Sequence, residues 1–70
     1  MKLDKTTRDK VGVGTILCSD GFECKVVNVT KMEYGKRIAL DVLKSNIPWM
    51  VGRRIYSAPL SNYYGMEIKE

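Results

Sequence analysis

No stretch of about ten residues in this chain repeats apolar side chains at helical spacing, whereas several short segments alternate them with the period of two that marks a half-buried strand. The clearest runs from Arg37 to Leu43, where Ile38, Leu40 and Val42 alternate with Arg37, Ala39 and Asp41. A second alternation starts at Phe22, with Cys24 and Val26 on one face, and then fails because Val27 and Val29 fall on the other. That strand is expected to bend or bulge near Val26. Ser19-Asp20-Gly21 supplies the turn of a hairpin between Val11–Cys18 and the strand opening at Phe22, and Gly35 closes a second turn after Met32. Both glycines are expected at positive φ. A fourth strand is expected over Trp49–Tyr56, with Gly52 marking a bulge, and a fifth over Tyr64–Lys69, with Tyr64, Met66 and Ile68 on one face. Between them Ser57–Asn62, punctuated by Pro59, suits a single 3-10 turn. Five short strands and no sustained helix predict an all-β fold, a small and partly open five-stranded barrel with a one-turn 3-10 connector before its last strand.

Size and charge narrow the setting. A chain of 70 residues makes one domain and, on folding, buries only about 60% of the surface its extended form exposes, so self-association into a homo-oligomer would help it. The barrel is expected over 11–70, preceded by a flexible basic arm over 1–10 in which Lys2, Lys5, Arg8 and Lys10 mix with Asp4 and Asp9. Twelve Lys and Arg against eight Asp and Glu leave a net charge of +4, which favours anionic partners. No apolar run approaches the ~20 residues that span a bilayer, and the polar opening has no signal-peptide core, so a cytoplasmic protein without a membrane partner is expected. With no His in the sequence, the two Cys have no imidazole with which to hold zinc, and neither a Cys-His nor a Ser-His pair can form. No enzyme activity, metal or cofactor is expected.

Cys18 and Cys24 flank the first turn. A two-residue turn at Asp20-Gly21 sets Cys18 opposite Glu23 and Cys24 opposite Leu17, with the thiols on opposite faces; only a five-residue loop would bring them together. Reduced thiols are the expectation. Asp41, on the face opposite Ile38 and Leu40, is within cross-strand reach of Arg37 and Lys25 as a surface ion pair. The adjacent arginines Arg53 and Arg54, placed on the fourth strand, would point to opposite faces, so at most one serves a given pocket. Their forked guanidinium groups bind phosphate oxygens in two places and stack on aromatic planes. Trp49, Tyr56, Tyr63 and Tyr64 lie close to them in sequence, and aromatic faces interleaved with Arg are what nucleotide or single-strand recognition uses. The same residues also suit plainer roles, the aromatics as core and the arginines as a solvated strand edge.

Two resemblances extend this reading. Pro59-Leu-Ser-Asn-Tyr-Tyr-Gly-Met-Glu-Ile resembles the segment that closes Src-homology-3 (SH3) domains, with Trp49 about ten residues upstream, and the resemblance covers about a third of the chain. That family's acidic specificity loop has no counterpart here, so what is implied is an SH3-like barrel rather than a peptide ligand. The succession Val13-Gly-Thr-Ile, Phe22-Glu-Cys-Lys-Val-Val-Asn-Val, Ala39-Leu-Asp-Val-Leu, Ile55 and Leu60-Ser-Asn-Tyr resembles small β-barrel domains common in phage genomes, including the anti-Thoeris sponge family that sequesters cyclic ADP-ribose-type signals. This resemblance implies a phage or bacterial barrel that binds without catalysing.

The leading expectation is a non-catalytic binding protein that holds an anionic nucleotide-type ligand, such as a host defence signal, through Arg53, Arg54, Trp49, Tyr56, Tyr63, Tyr64, Arg37 and Lys25. A nucleic-acid-binding barrel would instead track a phosphate backbone with Lys25, Lys36, Arg37, Arg53 and Arg54. A protein-interaction module inhibiting a host enzyme would present Trp49 and the tyrosines as anchors.

Overall fold

The computed structural model describes residues 1–69. Five strands, β1 (Ile16–Ser19), β2 (Phe22–Met32), β3 (Gly35–Lys44), β4 (Arg54–Pro59) and β5 (Glu67–Lys69), form one antiparallel sheet in the order β4-β3-β2-β1-β5. β4 and β5 do not pair with each other, so the sheet stays open as the partly open barrel requires. Short 3-10 turns occupy Arg8–Lys10, Pro48–Met50 and Leu60–Tyr63, the last being the connector before β5. The all-β, five-stranded architecture is the one the strand alternation predicts.

One face of the sheet carries the core. Leu17, Cys24, Val26, Ile38, Leu40 and Val42 are each at most 1% exposed there, and Leu3, Val11, Leu60 and Ile68 close over them. Three register shifts keep these side chains in phase, one of them leaving Leu43 as an extra residue of β3 between the pairs Glu23–Lys44 and Cys24–Val42. In β2, Val26 pairs with Leu40 but Asn28 pairs with Ala39, so Val27 is the extra residue and Val29 returns to the core side beside Ile38. That shift explains the broken alternation in the sequence: without it, Val29 would face solvent. In β4, Ile55 pairs with Leu40 and Ala58 with Ile38, so Tyr56 and Ser57 together span Ala39 and both apolar residues turn inward.

The first hairpin has the expected register, Cys18 opposite Glu23 and Cys24 opposite Leu17, and both thiols are free. Burial pushes the Cys24 thiol up to about 11, which leaves it protonated and inert at neutral pH. Gly21 and Gly35 have φ of 75° and 113°. Gly35 follows a two-residue loop with no positive φ, so the glycine rather than the loop takes the left-handed region.

Four expectations need correction. The first strand spans only Ile16–Ser19, because residues 12–15 form a turn in which Thr15 N–H donates to Gly12 O at 3.0 Å. The fourth strand begins at Arg54, not Trp49: Pro48 fixes the first position of a 3-10 turn, Gly52 has φ 84°, and only after this detour does the backbone rejoin β3. Trp49 and Arg53 therefore sit in a loop. β5 is confined to Glu67–Lys69, since the Leu60–Tyr63 turn and Gly65, φ 99°, occupy the start of the expected strand. Residues 1–10 are not a loose arm. Leu3 is fully buried, its N–H donates to Met66 O at 2.7 Å, and Gly65 N–H donates to Leu3 O at 2.8 Å. Lys2 bridges to Glu67, and Ile68 N–H donates to Met1 O at 2.6 Å. The edge of β5 supplies unpaired backbone groups, and one leucine filling the core repays the cost of ordering the segment. Asp4 then turns the chain, its Oδ1 accepting from Thr6 N at 2.8 Å and Thr6 Oγ1 at 2.6 Å; these bonds hold its carboxyl below the ordinary 3.8.

Candidate functional site

The outer face of the sheet and the β3–β4 loop hold most of the basic and aromatic residues singled out in the sequence, but they do not converge. Arg54 is committed to Asp41 through two parallel bonds, Nε to Oδ1 at 2.6 Å and Nη2 to Oδ2 at 3.1 Å. Lys25 is the cross-strand neighbour of Asp41 on β2, so this carboxylate lies between two cations; the Arg54 hydrogen bond first, and the charges of Arg54 and Lys25 after it, hold its carboxyl below the ordinary 3.8. The expected partner Arg37 turns away from Asp41, its Nε donating to Ser57 Oγ at 2.7 Å across to β4. Arg53 lies against Trp49, with the guanidinium carbon 5.9 Å from the ring centroid and Nε donating to Trp49 O at 3.4 Å. Tyr56 projects from β4 into solvent. Tyr63 packs on the core, and burial raises its phenol above the ordinary value.

Tyr64 has a different setting. It lines a groove of about 280 Å³ whose walls are the β2–β3 turn on one side and the Arg8–Asp9 and Pro59–Ser61 segments on the other. Tyr64 and Leu60 give the groove an apolar side, while Arg8, Lys31 and Lys36 bring positive charge against the carboxylates of Asp9 and Glu33. Lys36 is paired with Asp9 at 3.3 Å, whereas Arg8 and Lys31 make no ion pair among the described residues. Tyr34, at the tip of the turn, is 93% exposed, an aromatic ring with almost no packing of its own. A second and more open concavity shares Met32, Glu33, Tyr34, Lys36 and Pro59 with the groove and adds Arg37. Ligand sites are concave, part apolar, with a few convergent polar groups, and a volume near 300 Å³ is the small end of their range. This groove has those properties.

Of the eight residues expected to form a site, the structure thus places Tyr64 in the groove and Arg37 at its open margin. Lys25, Arg54 and Tyr56 lie on the outer sheet face, Trp49 and Arg53 in the β3–β4 loop, and Tyr63 against the core. Arg8, Lys31 and Tyr34 escaped sequence reasoning. Tyr34 carried the one usable signal, since an aromatic inside a tight turn, Glu33-Tyr34-Gly35, has no strand face on which to be buried. Compared with protein-family models, curated proteins and solved structures, the chain shows no match to any.

Proposed function

We propose that this chain is a non-catalytic binding protein whose groove beside the β2–β3 turn holds an anionic, planar ligand of the nucleotide type. The observation that carries the reading is that Arg8 and Lys31, cations without an ion pair among the described residues, share one concavity with Tyr64 and with the solvent-facing ring of Tyr34. A guanidinium and an ammonium meet phosphate oxygens, and the tyrosine rings offer faces for a base. Arg54 is a poorer phosphate-binding residue than Arg8, because an anion would first have to displace Asp41 from it. Binding without conversion lowers the free concentration of a small nucleotide, and that is all a protein sequestering a host defence signal has to do.

Native mass spectrometry and titration calorimetry with adenosine mononucleotides, cyclic dinucleotides and cyclic ADP-ribose test the reading. A retained nucleotide is expected, with affinity reduced about tenfold or more in Arg8→Gln and in Tyr64→Ala. Arg54→Lys should bind normally. Retention of none of these ligands at millimolar concentration overturns it, and tight, steeply salt-dependent binding of single-stranded oligonucleotides with no mononucleotide affinity replaces it with backbone tracking.

A further inference from the structure

The end of β3 and the loop between β3 and β4 take no part in the groove, yet they expose a run of large apolar side chains. Leu43, Ile47, Trp49 and Val51 are 43%, 45%, 68% and 50% exposed, and none of them lines either concavity. Fraying is not the reason. Met50 N–H donates to Ile47 O at 3.0 Å, Arg53 N–H to Met50 O at 3.0 Å, and Gly52 N–H to Val42 O at 2.8 Å, so the backbone is bonded into a turn that holds these side chains outward. Asn46, at the start of the loop, lies over Gly21 of the β1–β2 turn.

Charge gives this apolar tip a polarity. From Val42 to Met66 the sequence contains no Asp or Glu, while Lys44, Arg53 and Arg54 flank the exposed residues; Glu23, opposite Lys44 on β2, is paired with Lys69 at 3.2 Å. Asp41 takes up the charge of Arg54; Lys44 and Arg53 have no ion pair among the described residues. A second copy docked tip to tip would bring two rims of the same sign together, which opposes self-association through this surface. An anionic lipid surface fits both properties at once. Aliphatic side chains enter the acyl boundary, a tryptophan settles at the headgroup level, and basic side chains extend to the lipid phosphates. Cations this close to an anionic leaflet add an attraction that salt screens.

We infer that the β3–β4 loop docks the protein peripherally onto an anionic membrane surface, with Ile47, Trp49 and Val51 inserted and Lys44 and Arg53 at the headgroups. No helix among the described residues is long and apolar enough to cross a membrane, and docking of this kind needs none. It is independent of the groove and its ligand.

Trp49 is the one tryptophan of the chain, so its emission reports on the loop directly. The full chain is titrated at low salt with vesicles of phosphatidylglycerol and phosphatidylcholine in equal parts, and with vesicles of phosphatidylcholine alone. The expected result is a blue shift with the anionic vesicles, quenching by acyl-brominated lipid, and about tenfold weaker binding to the neutral ones or after addition of salt. Ile47→Ser and Val51→Ser should each reduce vesicle co-sedimentation about tenfold, the unfolding midpoint of these exposed-site variants showing that the fold persists. Unchanged emission with anionic vesicles overturns the inference, as does co-sedimentation of both serine variants equal to that of the parent chain. A blue shift on concentrating the protein without lipid assigns the loop to a second copy, and a shift with soluble host protein but not with vesicles assigns it to a protein partner; either result overturns lipid docking.

Discussion

At the β5 end of the sheet a polar segment of the chain closes the edge, while at the β4 end an apolar segment is left in solvent. Residues 1–10 offer only Met1 and Leu3 as large apolar side chains, yet Leu3 is fully buried and the backbone around it is bonded to residues 65–68. Residues 43–51 include Leu43, Ile47, Trp49, Met50 and Val51, and four of these are exposed by 43% or more. The difference teaches that burial follows two opportunities, an unpaired strand edge for the backbone and a vacancy in the core for a side chain. The first segment meets both at β5. The second begins at the end of a strand whose inward positions Ile38, Leu40 and Val42 are already buried, and a proline and a glycine then take it away from the sheet.

The comparison is broken most directly at Leu3. Leu3→Ala should lower stability by about 2–5 kcal/mol in urea denaturation, as a fully buried leucine does when it leaves a cavity. A loss below about 1 kcal/mol would mean that the first ten residues are the loose segment their composition suggests. Next in size is Gly21→Ala, expected to cost about 1–2 kcal/mol because φ is 75° and because the new methyl group must displace Asn46. If Asn46 ties the exposed loop to the body of the protein, the same variant should lower the fluorescence anisotropy of Trp49; unchanged anisotropy removes the tether.

Acid sharpens the contrast through its causes. Asp4 at the closed end and Asp41 at the open end both titrate below their ordinary 3.8, so each contributes stability that is complete above that value and lost as pH falls through the lower native one. Asp4→Asn and Asp41→Asn should each make the acid limb of the stability profile shallower. High salt should erase the difference for Asp41, whose main partner is the Arg54 cation, and spare that for Asp4, held chiefly by the hydroxyl and amide of Thr6. Equal salt response at both ends would contradict these causes. Smallest of all is Trp49→Ala, expected within about 0.5 kcal/mol of the parent, since a side chain 68% exposed has little packing to lose. A larger loss would place Trp49 in the fold and weaken the contrast from its other side.

The candidate site was legible only in part, and for a definable reason. Tyr64 and Arg37 could be singled out by residue type, but the groove is assembled from Arg8, the end of β2, the turn at Tyr34 and the Leu60–Tyr63 segment, which are far apart in sequence. The adjacent arginines differ in their surroundings: Arg54 is paired with Asp41, thirteen residues away in sequence, and Arg53 lies against the nearby Trp49.

The local features follow from nearest neighbours and from a period of two. Asp20-Gly21 sets the opposition of Cys18 to Glu23, Gly21 and Gly35 take positive φ, the failed alternation after Val26 marks the bulge at Val27, and Ile38, Leu40 and Val42 share the buried face. Tertiary structure alone decided which segment closes the β5 edge, that Trp49 and Arg53 leave the sheet, and which cations are free of carboxylates. Those outcomes depend on which edge and which core vacancy remain once the strands have paired, a competition among distant segments that no local window of residues contains.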